Sequence, residues 1–278
     1  MKRYLSAFAS LLLLAACNNN SNPSTEKSGR SIVLNDTIST PSGLKYIFLK
    51  EGQGVPIDTG SKVKAFTNLY INDSDSIFWT TAEAEDSSFV FIHGKTSLIQ
   101  GFSELNSYLV EGDEVIAILP DSLAYGKSGR GDVPPGATLI YKPYVVRSVS
   151  EPKQMLTDTL KALSSQDLQT AMEFYEEIRN TELGKNYHKE IEDLMPLLGE
   201  MQKDSMFELS FQWANYLQQS AQKLEDKEYL VYFKVNALKA KSSYQEALDE
   251  VNSLLALGAD SAYWSNAKAE LEAILAGQ

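Results

Sequence analysis

The sequence predicts two folds in series, an α+β part in which one short helix packs on an antiparallel sheet, and then an all-α part. Three observations predict it. Twelve of the 16 Gly and seven of the nine Pro precede residue 152. That same stretch holds short runs rich in β-branched and aromatic residues. The remainder has long apolar periodicities without strand alternation, and it carries 12 basic against 21 acidic side chains.

The strands read as Leu44 to Leu49, Val63 to Ile71, Phe89 to Ile92, Glu114 to Leu119 and Thr138 to Val149. Between the third and fourth, Leu98, Phe102, Leu105 and Leu109 recur at helical spacing. Thr96 or Ser97 is the expected cap and Gly112 the stop. After Pro152, the series Tyr244, Ala247, Leu248, Val251, Leu254 and Leu255 marks an amphipathic helix ended by Gly258. Tyr229 and Tyr263 are 34 residues apart, with Phe233, Ala237 and Ala240 answered by Ala267, Leu271 and Ile274. That period suits a tetratricopeptide-like helical pair, with a plain helical bundle as the alternative, because about three stacked repeats are needed for a stable array.

Composition narrows the function classes. A formal charge of -12 repels a nucleic-acid backbone. One Cys forms no intramolecular disulfide, and two distant His do not make a zinc site, so neither metal nor cofactor is expected. Asn72 to Asp75 mimic the start of a calcium loop without its Gly and distal Glu, and read as a solvated turn.

At the N-terminus, Lys2 and Arg3 precede an apolar run from Leu5 to Ala16, too short for a permanent span and typical of a signal peptide over residues 1–16. Leu14, Ala15 and Ala16 directly before the single Cys resemble the bacterial lipobox, which implies acylation of Cys17 and a lipid anchor. The Asn, Ser, Pro and Gly that follow read as a flexible tether over 17–39. Asn18 rather than Asp after the Cys resembles an outer-membrane sorting signal. The expected location is the periplasmic face of a bacterial outer membrane, with surface display left open.

Three motifs then occur in order: SGLKYIFLKEGQG (42–54), FVFIHGKTSLIQGFSELNSYLVEGDEV (89–115) and LAYGKSGRGDVPPGATLIYKPYVV (123–146). Over residues 40–150 the chain resembles an FKBP-type peptidyl-prolyl isomerase, in which an antiparallel sheet wraps around one short helix. The resemblance implies proline-containing polypeptides as substrates. It implies that Phe89, Leu98, Ile99, Phe102 and Tyr141 surround the prolyl ring, that Phe66, Phe78 and Trp79 flank it, and that Val133 lines the rim. Tyr125 and the Ile99 N–H would donate to substrate carbonyls; Tyr125, Phe102 and Ile99 are the catalytic candidates. Phe91 and Leu105 read as core.

The chain departs from that pattern at three positions. Phe66 stands where a Tyr is usual, Trp79 where an Asp is usual, and Phe102 where a Trp is usual. The expected activity is membrane-anchored prolyl isomerisation that assists folding of exported proteins. The alternative is a catalytically weakened binding, chaperone-like or scaffold lipoprotein. The helical part, 151–278, is the expected docking or self-association module.

Overall fold

In the computed structural model, residues 30–84, 86–259 and 261–277 are described. The segment expected to be a signal peptide and Cys17 lie outside the described residues, as does most of the expected tether. Seven strands form one sheet: β1 (Thr37–Ser39), β2 (Lys45–Lys50), β3 (Lys62–Ile71), β4 (Trp79–Thr80), β5 (Phe89–Ile92), β6 (Glu114–Leu119) and β7 (Leu139–Val149). Its order is β1-β2-β6-β7-β3-β4, with β5 also paired to β3, and every pairing is antiparallel.

Burial along β3 alternates, with Val63, Ala65, Thr67 and Leu69 inward, as a sheet with one covered face requires. Two short strands were not expected. β1 takes in residues 37–39 from the stretch read as tether, because Ile38 tucks half-buried between exposed neighbours as the segment pairs with β2. β4 is two residues long, below the length at which alternation can be recognised.

The helix on the sheet, α1 (Gln100–Asn106), is shorter than its periodicity suggests, and its cap differs from expectation. Ile99 is the N-cap and supplies no side-chain bond. The Thr96 hydroxyl instead accepts from the Ile92 N–H at 2.9 Å, closing the turn after β5. Gly101 lets the helix approach β6: a Cβ there would sit 2.9 Å from Leu119 and Leu123.

Below the helix, the buried Asp113 carboxylate accepts from the Gly52 and Val110 N–H groups, both at 2.7 Å. It joins β2's exit to the turn before β6. The Asn72 segment is a turn, with Asn72 at φ 52° and its side chain accepting from the Thr138 N–H.

Residues beyond 156 form an all-helical bundle: α2 (Thr157–Gln166), α3 (Leu168–Asn180), α4 (Met195–Lys203), α5 (Phe207–Gln218), α6 (Leu224–Ala240), α7 (Tyr244–Ala256) and α8 (Ala262–Ala276). One core gathers Leu160, Tyr175, Leu197, Met201, Trp213 and Leu217. A second gathers Val235, Leu238, Val251, Leu254, Trp264 and Leu271. The Trp213 indole N–H, fully buried, donates to the Ser164 hydroxyl at 2.7 Å and so ties α5 to α2.

The two parts meet at the end of β7. Gly60 and Lys153 pair through the backbone, the His188 Nε2 lies 2.6 Å from the Gly60 carbonyl, and Lys62 Nζ lies 2.5 Å from Asp193. Among the described residues no helix is long and apolar enough to cross a membrane.

Candidate functional site

An aromatic cluster occupies the inner face of the sheet where α1 crosses it. Phe102, on α1, is 4% exposed and makes four ring contacts: to Tyr141 at 5.1 Å, Tyr144 at 5.2 Å, Phe91 at 5.6 Å and Phe89 at 6.0 Å. All four are tilted or edge-to-face, the arrangement the ring quadrupoles favour. β5 supplies Phe89 and Phe91 because they are two apart and share a face; β7 supplies Tyr141 and Tyr144, three apart. Strict alternation would put those two on opposite faces. The β3–β7 register shift opposite Thr67 to Leu69 turns both inward.

Beneath the rings lies a polar bolt. The buried Tyr144 hydroxyl donates to Asn106 Oδ1 at 2.7 Å, and Asn106 Nδ2 donates to the Phe102 carbonyl at 2.8 Å. Burial pushes the Tyr144 phenol far above its ordinary range. Tyr141 is raised as well, first by burial and then by the neighbouring Tyr125. The floor, made of the buried Phe102, Tyr141 and Tyr144, is shut off from solvent.

Tyr125 is half-buried, at the start of a short flap. Arg130 and Val133 exchange two backbone hydrogen bonds at 3.0 Å, and the Gly136 N–H donates to the Gly126 carbonyl, so the flap closes on itself. Gly129, at φ 68°, is required there: a Cβ would meet the Val133 carbonyl oxygen at 2.4 Å. Val133, Leu98 and Ile99 are half-buried. The Ile99 carbonyl accepts from the Phe102 and Ser103 N–H groups.

The flanking residues divide. Trp79, 44% exposed, sets its indole edge-on to Phe89 at 6.3 Å and so stands at the mouth. Phe78 beside it is 42% exposed. Phe66 is apart from the ring cluster: it sits between inward-facing Ala65 and Thr67, with the Arg147 guanidinium over its ring at 5.1 Å. Among the described residues no group of His, Cys, Asp and Glu is placed to hold a metal.

Residues 55–144 match the family described as FKBP-type peptidyl-prolyl cis-trans isomerase. This segment is an FKBP-type domain. The match takes in the second motif and most of the third, and begins just after the first. No curated protein matches the chain by sequence. Solved structures similar to it include FkpA from Escherichia coli, at 22% identity and TM-score 0.37 over 42% of this chain and 52% of that one. The chain thus spans about half the length of FkpA. A peptidyl-prolyl cis-trans isomerase from Pseudomonas syringae pv. tomato aligns at 22% and 0.37 over 41% and 81%. The N-terminal domain of FKBP42 from Arabidopsis thaliana aligns at 21% and 0.38 over 44% and 98%.

Within the FKBP-type domain, threonines carry polar links beside two of the three departures, Phe66 and Trp79. The Thr67 N–H donates to the Thr81 hydroxyl at 3.0 Å, and the Thr80 hydroxyl donates to Asn68 Oδ1 at 2.6 Å. They fix the Trp79 segment to β3 without a carboxylate. Sequence reasoning missed Tyr144 and Asn106. The signal available was an Asn inside an apolar helical stretch, a polar group that needs a buried partner.

Proposed function

We propose that the chain is a peptidyl-prolyl cis-trans isomerase, tethered by lipid on Cys17 to the periplasmic face of an outer membrane, that assists folding of exported polypeptides. The observation that supports it is the ring cluster in which Phe102 meets both Phe89 and Tyr141, with Tyr125 beside it. The X-Pro amide is held planar by resonance, with a barrier of ~18–20 kcal/mol. Twisting it removes resonance and lowers the charge on its carbonyl oxygen. A dry aromatic surface therefore disfavours the planar, well-solvated form more than the twisted one, and the difference lowers the barrier. No bond breaks. The prolyl ring rests on Phe102, the Tyr125 O–H donates to a flanking carbonyl, and the Ile99 N–H donates to another; the last two orient the chain while the rings exclude water.

A second reading, a binding or scaffold lipoprotein with weakened catalysis, is favoured by Trp79, a bulky indole against Phe89 where the family usually has Asp. Isomerisation of a proline-containing tetrapeptide by the full chain separates the two. A rate above the uncatalysed background supports the isomerase. Background alone, with a gain in Trp79→Asp, supports the binding module. The anchor is tested by Cys17→Ser, which releases the protein from membranes; retention on membranes overturns the lipoprotein reading.

A further inference from the structure

The sheet and the helical bundle meet around a cleft of about 920 Å³. On the sheet side five consecutive residues, 88–92, line it. Side chains alternate along a strand, so an unbroken run means that β5 is met edge-on. Among the described residues β5 pairs with β3 alone. The His93 N–H donates to the Ser61 carbonyl, which sets the phase of the ladder: 63/91 and 65/89 are the hydrogen-bonded pairs, and 64/90 is not. Val90, 38% exposed, therefore turns both its N–H and its C=O away from β3. The outward groups of Ile92 are already engaged, by the Thr96 hydroxyl and by the N–H groups of Lys95 and Thr96. The open edge is the half of β5 that carries Phe89, the ring in contact with Phe102 and Trp79.

Across the cleft the wall is acidic. Asp158, Glu192, Asp193, Glu200, Glu225 and Asp226 line its helical side together with Lys223. Part of this charge is answered: Lys62 pairs with Asp193 and Glu192, Lys161 with Glu200, and Lys64 with Asp86 at 3.0 Å, while Lys95 lines the sheet side; among the described residues, Asp158 and Asp226 are the wall carboxylates without an ion pair. Burial and the charge of Glu192 hold the Asp226 carboxyl above its ordinary range, a penalty that an incoming cation would relieve. Met155, Met195 and the half-exposed Tyr229 supply apolar surface between the charges.

We propose that this cleft takes an extended polypeptide segment bearing basic side chains, added as a strand to the free edge of β5 and continuous with the prolyl segment on the aromatic cluster. The inference rests on the reading of that cluster as the prolyl site. An added strand gains affinity from main-chain hydrogen bonds, and alternate side chains give it specificity. Here the alternate side chains that face the bundle meet the acidic wall.

The test uses the full chain and a labelled dodecapeptide with one Ala-Pro bond and Lys at alternate positions, read by fluorescence anisotropy at low salt. A Glu counterpart and two versions with backbone N-methyl groups on odd or on even residues complete the set. The Lys peptide should bind about tenfold tighter than the Glu peptide. One N-methyl series should lose binding and the other keep it. The double variant Asp158→Lys, Asp226→Lys should lose the charge preference while isomerising a proline tetrapeptide at the parent rate. Equal binding of Lys and Glu peptides, or any other N-methyl pattern, overturns the cleft proposal; the N-methyl arm needs no variant to fold. Charge preference without tetrapeptide turnover overturns the isomerase reading instead, and turnover without charge preference overturns only the cleft.

Discussion

Phe102 is a packing residue and a candidate catalytic one at once, since its ring is shared by Phe89, Phe91, Tyr141 and Tyr144. Phe102→Ala is expected to cost about 3 kcal/mol in urea unfolding, from lost transfer energy and a residual cavity. In the same variant kcat/KM for a proline tetrapeptide should fall at least about tenfold, as water enters the floor. Tyr125→Phe should cost less than about tenfold. An oxyanion-type donor contributes ~10²–10³, but little charge develops in an amide rotation. A hundredfold loss would show that the hydroxyl, and not the dry floor, carries the rate. Asp113 accepts two backbone N–H groups in a fully buried position, and Asp113→Ala leaves both unsatisfied. Its expected cost is about 3 kcal/mol, with no change in turnover of the remaining folded protein. Phe102, Tyr125 and Tyr141 were legible because they sit in ordered motifs. Asp113 was not, because an Asp beside Gly112 in a turn reads the same whether it faces solvent or core.

At the scale of elements, the strand and helix types follow from residue periodicity, whereas caps and register do not. The Thr96 hydroxyl could cap α1 or close the turn after β5, and only the position of the Ile92 N–H decides for the turn. Helix α6 holds a similar ambiguity in Lys234. A lysine on a helix has nothing local to mark it as buried, yet its side chain is 4% exposed and reaches Glu250 at 2.5 Å on α7 and Gln218 at 2.8 Å on α5, with the Phe211 ring 5.6 Å away. It joins three helices. Lys234→Ala should lower the unfolding free energy by about 3 kcal/mol, because Glu250 loses its partner. Lys234→Met, which keeps the stem and its packing, should recover part of that. Equal stability of the parent and both variants in urea would show that the ion pair and the packed stem contribute nothing.

Across the whole molecule, the joint between sheet and bundle carries a buried histidine. Burial lowers the His188 pKa below its ordinary 6.5; the Gly60 carbonyl and Asp193 oppose this, and Lys62 and Lys153 reinforce it. Its stabilising contribution is thus complete above about pH 6.5 and is lost as pH falls below it, since the unfolded chain then binds the proton more readily. His93, whose Nδ1 has no partner, is lowered by burial in the same direction. Limited proteolysis is expected to cut near 149–157 and give a fragment close to residues 40–150, with the two parts as separately folding units. At pH 5.5 the cut should be faster in the parent than in His188→Gln, which keeps a donor for Gly60 without the titration. At pH 7.5 the two should be alike. Resistance of the joint in both proteins at both pH values would argue for one folding unit.

The sequence by itself determined the order of a sheet domain and a helical domain, the helix that lies on the sheet, and the aromatic residues that the FKBP-type motifs name. Each depends on local periodicity or on a motif of contiguous residues. Tertiary structure alone decided which of those aromatics meet. Beyond the grouping of Phe89, Phe102 and Tyr141 that the resemblance implies, it brought Phe91 into the same cluster, set Phe66 under Arg147, and added Tyr144 through a register shift that no residue pattern announces. It also decided that the edge of β5 faces an acidic helical wall. The physical reason is that side-chain direction in a bulged sheet, and the joining of two domains, are set by backbone pairing between residues far apart in the chain.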